Sequence, residues 1–192
     1  MRHCKGVSSQ FEQLANFPEY NDASKLIAEG SFHQALPLVQ RMNEVIASSV
    51  GSDTALAAAT RLRLAAVHRL MGDRTSALAS TEVDGIHGPA RIYLLLGRIG
   101  LLLEDGQFDA ADAAAIDVVQ LTEAQPHEQI DISTFCGAYT AEGLAAACKG
   151  RLEDAEDAFQ RAARWGAEPV DPLLPSLNLG RLHWWRGDLA AK

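Results

Sequence analysis

The residue types that most often perform catalysis or bind metals are scattered along this sequence. It contains no HExxH pair of histidines spaced for a zinc site, and no GxxxxGK loop that would hold phosphate groups through its backbone. The six histidines are His3, His33, His68, His87, His127 and His183. This distribution predicts that the chain is not an enzyme and that it uses no cofactor and no metal.

The cysteines give no sign of a redox or metal site either. Cys4, Cys136 and Cys148 are an odd number and form no CxxC pair, so the simplest interpretation is free thiols in a reducing compartment. Cys136 and Cys148 are twelve positions apart, about three and a third helical turns, and so do not share quite the same helix face. No histidine has a matching spacing, and neither cysteine is predicted to be a nucleophile or a metal ligand.

Two adjacent tryptophans near the end of the chain suggest binding rather than catalysis. Trp184 and Trp185 lie beside Arg181 and Arg186. Tryptophan and arginine contribute much of the binding energy at protein interfaces, which makes this cluster a candidate anchor for a partner. The alternative is structural: a following helix of the same protein packs on these side chains. The sequence leaves both interpretations open.

The composition is typical of a soluble globular protein, with 47% apolar and 22% charged residues. A formal net charge of −8 disfavours nucleic acid, whose phosphates require a basic surface, and it also disfavours anionic membranes. The apolar run from Ile92 to Leu103 is interrupted by Arg98 and is too short to cross a bilayer. The sequence therefore predicts no nucleic-acid partner and no membrane insertion.

The helical pattern is clearest between positions 139 and 162, where two helices are predicted on either side of Gly150. In the second helix, the residues at i, i+3, i+7 and i+10 form one apolar face: Leu152, Ala155, Phe159 and Ala162. The neighbouring acidic residues are interpreted as a solvated face near the helix N-terminus: Glu153, Asp154, Glu156 and Asp157. This stretch predicts a pair of helices packed through small and large residues.

This stretch resembles the tetratricopeptide repeat (TPR), which combines a large residue, two glycines, and then a small, an aromatic and a small residue. These positions are Tyr139, Gly143, Gly150, Ala155, Phe159 and Ala162. Looser copies surround it, and their turn glycines complete the set Gly30, Gly72, Gly106, Gly150 and Gly187. Spacings of 42, 34, 44 and 37 residues include one usual TPR period and two similar to the longer repeats of kinesin light chains.

The resemblance implies an all-α fold, a right-handed superhelix (solenoid) of about five TPR-like helical hairpins with the last one incomplete. It covers residues 22–192, and residues 1–21 are predicted to be an N-terminal tail or capping segment. The fifth copy stops five residues after Gly187. Because so short a second helix is marginal alone, we expect that the protein continues beyond Lys192. The alternative is that another chain or the preceding repeat covers the exposed face.

Capping and breaking residues predict several helix boundaries. A long helix from Thr54 to Met71 is expected to be capped by Asp53 or Ser52. Pro89 is placed to open the next first helix, at positions 90–104, because proline is favoured in the first helical turn. Between these helices the second copy is degenerate, since Thr81 stands where Phe159 stands in the best copy. Its second helix is predicted to be short.

In TPR proteins, partner peptides lie in a groove lined by the first helix of each copy, and the resemblance implies the same use here. Counting back from each turn glycine gives these groove positions: Leu62, Ala66, Arg69, Leu70, Tyr93, Leu96, Gly100, Leu103, Glu104, Thr140, Leu144, Ala147, Leu177, Arg181, Trp184 and Trp185. This mostly apolar lining favours a hydrophobic or amphipathic segment. The alternative for Leu62, Leu96 and Leu144 is that they belong to the core.

One known use of the fold is disfavoured. Some TPR proteins hold the acidic C-terminal tail of a chaperone through Lys and Asn side chains at groove positions. Here Ala66, Gly100 and Leu144 occupy the places where asparagine would be needed, so the donors for a terminal carboxylate are absent.

These features predict a protein-protein interaction scaffold or assembly subunit with a protein or peptide partner. The alternative is a permanently incorporated structural subunit of a large complex, contacting its neighbours through the repeat ends. Cytoplasmic localisation is expected. A mitochondrial alternative comes from the N-terminus, which carries Arg2, His3 and Lys5 with two serines and no acid before Glu12. The oligomeric state is not predicted.

Overall fold

The computed structural model describes residues 14–126, 131–165 and 178–183, and these residues form helices and turns with no β-strand among them. The helices are α1 (Pro18–Ala28), α2 (Phe32–Val50), α3 (Ala55–Leu70), α4 (Arg74–Ser80), α5 (Gly88–Glu104), α6 (Phe108–Glu123), α7 (Ile132–Cys148) and α8 (Leu152–Trp165). They pair into copies 1 to 4, each made of two consecutive helices, and residues 178–183 are also helical. The chain divides into two compact units, unit 1 (residues 1–101) and unit 2 (residues 102–192).

The turn inside each of these copies is built in the same way. The turn glycines Gly30, Gly72, Gly106 and Gly150 have φ values of +76°, +80°, +71° and +75°. Each glycine N–H bonds to the carbonyl three residues earlier, and the following N–H bonds to the carbonyl five residues before it. This is the Schellman arrangement, which requires the left-handed conformation that glycine adopts readily. The four predicted turns are confirmed, and Gly187 lies outside the described residues.

Four positions around each turn glycine are buried in nearly every copy. They lie seven residues before the glycine and five, nine and twelve residues after it. The exception is Asp84 of copy 2, twelve residues after Gly72, which is exposed. The repeat pattern read from positions 139–162 therefore describes the packing of the earlier copies as well. The buried residues at these positions are Ala23, Ala35, Val39, Met42, Ala65, Ala77, Thr81, Ile99, Ala111, Ala115, Val118, Gly143, Ala155, Phe159 and Ala162.

In copy 4, a large side chain on the second helix fills the space beside a glycine of the first helix. Phe159 of α8 is 2% exposed and lies against Gly143 of α7, where an added Cβ would collide with the phenyl ring. Fully burying a side chain of this size contributes about 1.5–3 kcal/mol. Ala155 and Leu182 belong to the same buried cluster, so residues 178–183 pack onto copy 4.

Copy 2 has no aromatic residue at this position. Thr81 is fully buried there, and its hydroxyl donates a hydrogen bond to the Leu78 carbonyl at 3.0 Å. As predicted, the second helix of this copy is short: α4 has only seven residues. The chain therefore reaches α5 through a non-helical connection, and the carbonyls of this connection and of the last turn of α4 need partners other than helical N–H groups.

Arginines from the flanking helices supply those partners. Arg61 Nε donates to the Ser80 carbonyl at 3.0 Å, Arg61 Nη2 to the Glu82 carbonyl, Arg98 Nη1 to the Leu78 carbonyl at 3.0 Å, and Arg91 Nη1 to the Val83 carbonyl at 3.3 Å. Burial lowers the pKa of Arg61, and the nearby Glu82 carboxylate opposes this shift. Three charged side chains thus secure the segment where the repeat pattern is weakest.

Some boundaries differ from those predicted. Thr54, not Asp53 or Ser52, caps α3, because its hydroxyl oxygen accepts a hydrogen bond from the Ala57 N–H at 3.2 Å. The preceding turn at 51–53 ends with the Thr54 side chain directly above the first free N–H groups, which is the favoured cap geometry. Helix α5 begins at Gly88, two residues before the expected start. Sequence alone placed each of these ends within two residues.

The residues just before α1 contribute to the core of unit 1. Leu14 is fully buried in a cluster with Met42, Ile46 and Ala57, and Phe17 packs against the same cluster. Helix α1 itself begins at a proline, which is common in the first turn because the missing N–H would be unpaired there anyway. The first thirteen positions of the predicted tail or capping segment lie outside the described residues.

Candidate functional site

The predicted groove residues of unit 1 lie on α3 and α5 and differ in exposure. Ala66, Arg69, Leu70 and Gly100 are exposed, whereas Leu62, Tyr93 and Leu96 are half-buried. The Leu70 side chain is 47% exposed. The exposed members form the part of the predicted groove that a partner can reach in this unit.

Leu62 belongs to the contact between α3 and α5. A Cβ added at Gly97 would collide with the Leu62 side chain, so the two helices approach closely at this point. This geometry favours the core alternative for Leu62. It also gives Gly97 a packing role, because only a residue without a side chain leaves room for Leu62 there.

Gly100 has a different environment from Gly97. A Cβ added at Gly100 would meet no atom within 4 Å, and the residue is exposed. Ala66 occupies the equivalent place in copy 2, and each lies one helical turn from the contact of Leu62 with Gly97. Two small, exposed residues at equivalent positions of consecutive first helices leave room for the side chains of another molecule.

The predicted groove residues of unit 2 are less accessible. Thr140 on α7 is only 7% exposed, so its side chain belongs to the core rather than to a surface. Leu144 and Ala147 are half-buried and pack against the cluster that contains Phe159 and Leu182, which favours the core alternative for Leu144. At the end of α5, Leu103 is half-buried and Glu104 is exposed.

Only one residue of the predicted C-terminal site can be located. Arg181 is exposed on the helical segment 178–183. The other three predicted residues, Leu177, Trp184 and Trp185, lie outside the described residues, and their part in binding stays a prediction. The buried thiol of Cys136 in the same unit has a raised pKa because burial disfavours the thiolate, which makes it a poor nucleophile.

A network of ion pairs, which sequence reasoning missed, connects α6 with the turn between α7 and α8. Lys149 Nζ lies 2.9 Å from Asp109 and 3.0 Å from Asp112. Arg151 also pairs with Asp112, and its other nitrogen lies 3.0 Å from Asp154. The bond to Lys149 lowers the pKa of Asp109 and raises the pKa of Lys149 itself.

A second network joins α7 to α8 and to the end of α6. The Arg161 guanidinium lies 2.7 Å from Glu142 and 4.7 Å from the centre of the Tyr139 ring. The Tyr139 hydroxyl donates to Glu123 at 2.8 Å. Burial raises the pKa of Glu142, the Arg161 charge opposes this shift, and the carboxylates of Glu123 and Asp157 add to it. Arg161 of α8 thus contacts both a carboxylate and an aromatic ring of α7, which joins the two helices.

Both networks join helices, because their cations lie against carboxylates or a ring of neighbouring elements. Within residues 14–126, 131–165 and 178–183, no cluster of three or more His, Cys, Asp or Glu side chains has the arrangement of a metal site. In the same part of the chain, none of the helices is both long and apolar enough to span a membrane.

Comparison with known proteins identifies the fold. No protein-family model and no curated protein matches the chain. Two solved structures, both of a putative kinesin light chain with nearly identical TPR-like repeats from Podosopora anserina, are similar to it. The first, a single-residue variant of that protein, has a TM-score of 0.63 and 16% identity, covering 98% of this chain and 90% of that chain. The second has a TM-score of 0.61, 16% identity and the same coverage.

These matches agree with the geometry. The predicted resemblance to TPR-like repeats, some of them of the kinesin light chain type, is confirmed, and so is the predicted all-α solenoid fold class. At 16% identity the likeness concerns the fold alone. The repeated turn glycines, the repeated buried positions and a structural match over 98% of its length identify the chain, by fold, as a TPR-like helical-repeat protein.

Proposed function

We propose that the chain is a protein-binding scaffold that holds a hydrophobic or amphipathic segment of a partner on the first-helix face of unit 1. The observation that supports this proposal is the exposure of Ala66, Leu70 and Gly100 at the positions where TPR-like folds receive peptides. The fold commonly serves as a protein-interaction scaffold, and the exposed face has the small and apolar residues that such a partner needs.

Binding at this face would be passive. Apolar side chains of the partner would enter the space beside Ala66 and Gly100 and cover Leu70, and each fully buried large side chain would contribute about 1.5–3 kcal/mol. No bond is made or broken in this mechanism, consistent with a fold that is typically non-enzymatic.

The remaining parts of the proposal follow from charge and composition. The partner is proposed to be a protein or peptide rather than nucleic acid, because unit 1 carries ten Lys and Arg against nine Asp and Glu and so has almost no basic excess to neutralise phosphates. The protein is proposed to act in the cytoplasm, where free thiols persist. The incorporated-subunit alternative differs in one respect: its contacts would be at the repeat ends, not on the first-helix face.

The test is affinity capture from a native lysate with three baits: the wild-type chain, Ala66→Trp and Val45→Trp. Ala66→Trp fills the proposed face with an indole. Val45 is 46% exposed on α2, a second helix, so Val45→Trp adds the same bulk away from the proposed face. Circular dichroism and thermal unfolding confirm that each bait folds.

The proposal predicts that at least one protein captured by the wild-type chain is lost with Ala66→Trp and kept with Val45→Trp. The same partner set with all three baits would contradict the proposal and favour contacts at the repeat ends. A third outcome, loss with Val45→Trp alone, would move the interface to the outer helices and would equally overturn it.

A further inference from the structure

The acidic character of the protein is confined to one half of the chain. Residues 1–101 carry ten Lys and Arg against nine Asp and Glu, whereas residues 102–192 carry seven against sixteen. The formal charges are therefore +1 for unit 1 and −9 for unit 2. A charge excess of this size is expected to select the partners of unit 2 by sign.

Part of this charge surrounds a cleft in unit 2. The cleft has a volume of about 360 Å³ and lies between α6 and α8, with α7 forming its floor. Ala146 on the floor is a small, buried residue, which gives the cleft its depth. The charged side chains that line it are Asp112, Glu142, Arg151, Glu153, Asp154, Asp157 and Arg161. This position is separate from the first-helix face proposed for unit 1.

An apolar surface accompanies the cleft along α6. Ile116 lines the cleft and is 46% exposed, and Phe108, two turns earlier on the same helix, is 39% exposed. Asp112 lies midway between them, so the three residues follow one another at intervals of four along about 12 Å of helix. The two apolar side chains are exposed, whereas Asp112 between them is already paired with Lys149 and Arg151. The apolar surface of α6 that a partner could cover therefore consists of Phe108 and Ile116.

The ion pairs already present do not neutralise this surface. Lys149, Arg151 and Arg161 pair with the carboxylates around the cleft. Those carboxylates outnumber the three cations and are Asp109, Asp112, Glu142, Glu153, Asp154 and Asp157. A basic group entering the cleft would relieve the repulsion.

We propose that the α6–α8 cleft docks a basic amphipathic helix of a partner protein. Its apolar side chains would cover Ile116 and Phe108, and its Lys or Arg side chains would reach the exposed carboxylates of Glu153 and Asp157. A helix fits because its own i and i+4 residues match the spacing of the row on α6. This second surface lets the scaffold bind two partners of different chemistry at once.

The test uses two synthetic peptides of about 15 residues, long enough for roughly four helical turns. Both carry leucine at every third or fourth position, one with lysine and one with glutamate at the flanking positions. Binding to the full chain is measured by fluorescence anisotropy at about 50 and about 300 mM NaCl, since salt screens exposed charges. Ile116→Ser removes the apolar contact, and Val45→Ser is the matched control because Val45 is also 46% exposed, but on unit 1. Glu153→Lys reverses one charge of the cleft, with Glu44→Lys on α2 as its control.

The proposal predicts that the lysine peptide binds at least about tenfold more tightly than the glutamate peptide and loses several-fold affinity at the higher salt concentration. Ile116→Ser and Glu153→Lys each weaken the lysine peptide at least about fivefold, whereas Val45→Ser, Glu44→Lys and Ala66→Trp leave it unchanged. The proposal would be overturned if the lysine peptide did not bind at about 1 mM, or if both peptides bound equally well. It would also be overturned if Ala66→Trp abolished binding of the lysine peptide and Ile116→Ser did not.

Discussion

Copies 2 and 4 of the repeat bury the same position by different means. In copy 4 the ring of Phe159 fills the space above Gly143, and the packing is entirely apolar. In copy 2 the equivalent residue is Thr81, and the second helix has seven residues. Arginines from α3 and α5 bond to carbonyls at the end of that helix and in the segment after it. The repeat fold therefore depends on its turn glycine and small residues more than on the aromatic residue.

This difference also determines which kind of substitution destabilises each copy most. Apolar packing loses stability in proportion to the volume removed, whereas a charged bond to a buried carbonyl loses stability when its donor is removed and the acceptor is left unpaired. Copy 4 should therefore be most sensitive to truncation of its core, and copy 2 to the loss of its arginines.

The largest expected effect is Phe159→Ala, which should lower the free energy of unfolding by about 3–5 kcal/mol because it creates a cavity against Gly143. Thr81→Val at the equivalent position of copy 2 should lower it by only about 1 kcal/mol, the value of one hydroxyl hydrogen bond. Urea unfolding followed by circular dichroism measures both. Equal losses would show that the two copies are packed alike and would break the comparison.

The next effect is Arg61→Met, which keeps an unbranched, flexible side chain but removes the guanidinium and both of its bonds to the Ser80 and Glu82 carbonyls. The free energy of unfolding should fall by about 1.5–3 kcal/mol, and amide exchange in α4 should quicken. Arg41→Met, on the exposed side of α2, is the control and should change neither quantity beyond about 0.5 kcal/mol. If the two variants behave alike, the arginines do not hold copy 2.

Two glycine-to-alanine substitutions should change the stability of the protein in opposite directions. Gly143→Ala forces a Cβ into the Phe159 ring and should destabilise the protein by about 1–3 kcal/mol. Gly100→Ala meets open space in a helix interior and should stabilise it by about 0.5–1 kcal/mol. Thermal unfolding of both variants against the wild-type chain is the measurement. The same sign for both would contradict the described packing of α7 on α8.

The smallest expected effect concerns pH. The pKa of Glu142 is higher in the folded protein than its ordinary value, so its protonated form stabilises the fold and this contribution is lost as pH rises through the folded-state pKa. Glu142→Gln stays neutral, and at about pH 7 it should be more stable than the wild-type chain by less than about 1 kcal/mol. The difference should vanish on acidification, once Glu142 is protonated in both the folded and the unfolded chain.

Thermal unfolding from about pH 4 to about pH 8 checks this expectation, with Glu44→Gln on the exposed side of α2 as control. The opposite result would be a Glu142→Gln variant that is less stable than the wild-type chain at neutral pH, with a difference in stability that grows as pH rises. The ion pair with Arg161 would then outweigh the burial of the carboxylate.

The parts of the fold that sequence could predict are local. A turn glycine, a small or aliphatic residue seven positions earlier and mostly apolar residues at fixed distances after it specify a helical hairpin within about thirty residues, because each requirement acts through neighbours in the chain. This is why the turns at Gly30, Gly72, Gly106 and Gly150 were predicted, even though copy 2 lacks its aromatic residue. The short α4 was predicted from the helix breakers that follow it, Gly85, Gly88 and Pro89.

The candidate site could be predicted only in part, because accessibility depends on the neighbouring copy. Leu62 and Ala66 are one turn apart on α3, yet Leu62 is partly covered where α3 meets Gly97 of α5, and Ala66 is exposed. Ion pairs such as that of Arg161 with Glu142 join residues nineteen positions apart, and no helical spacing in the sequence predicts them. A sequence motif predicts which face of a helix packs or binds, but it does not predict which residues of that face the neighbouring helix covers.

The central claim is that a partner segment binds on the first-helix face of unit 1. Hydrogen–deuterium exchange of the full chain, alone and with the partner captured by the wild-type but not by the Ala66→Trp bait, tests it most directly. The account predicts slower exchange in peptides covering α3 and the second half of α5, with α2 unchanged. Protection of α2 or of the α6–α8 cleft, with α3 and α5 unchanged, would contradict it.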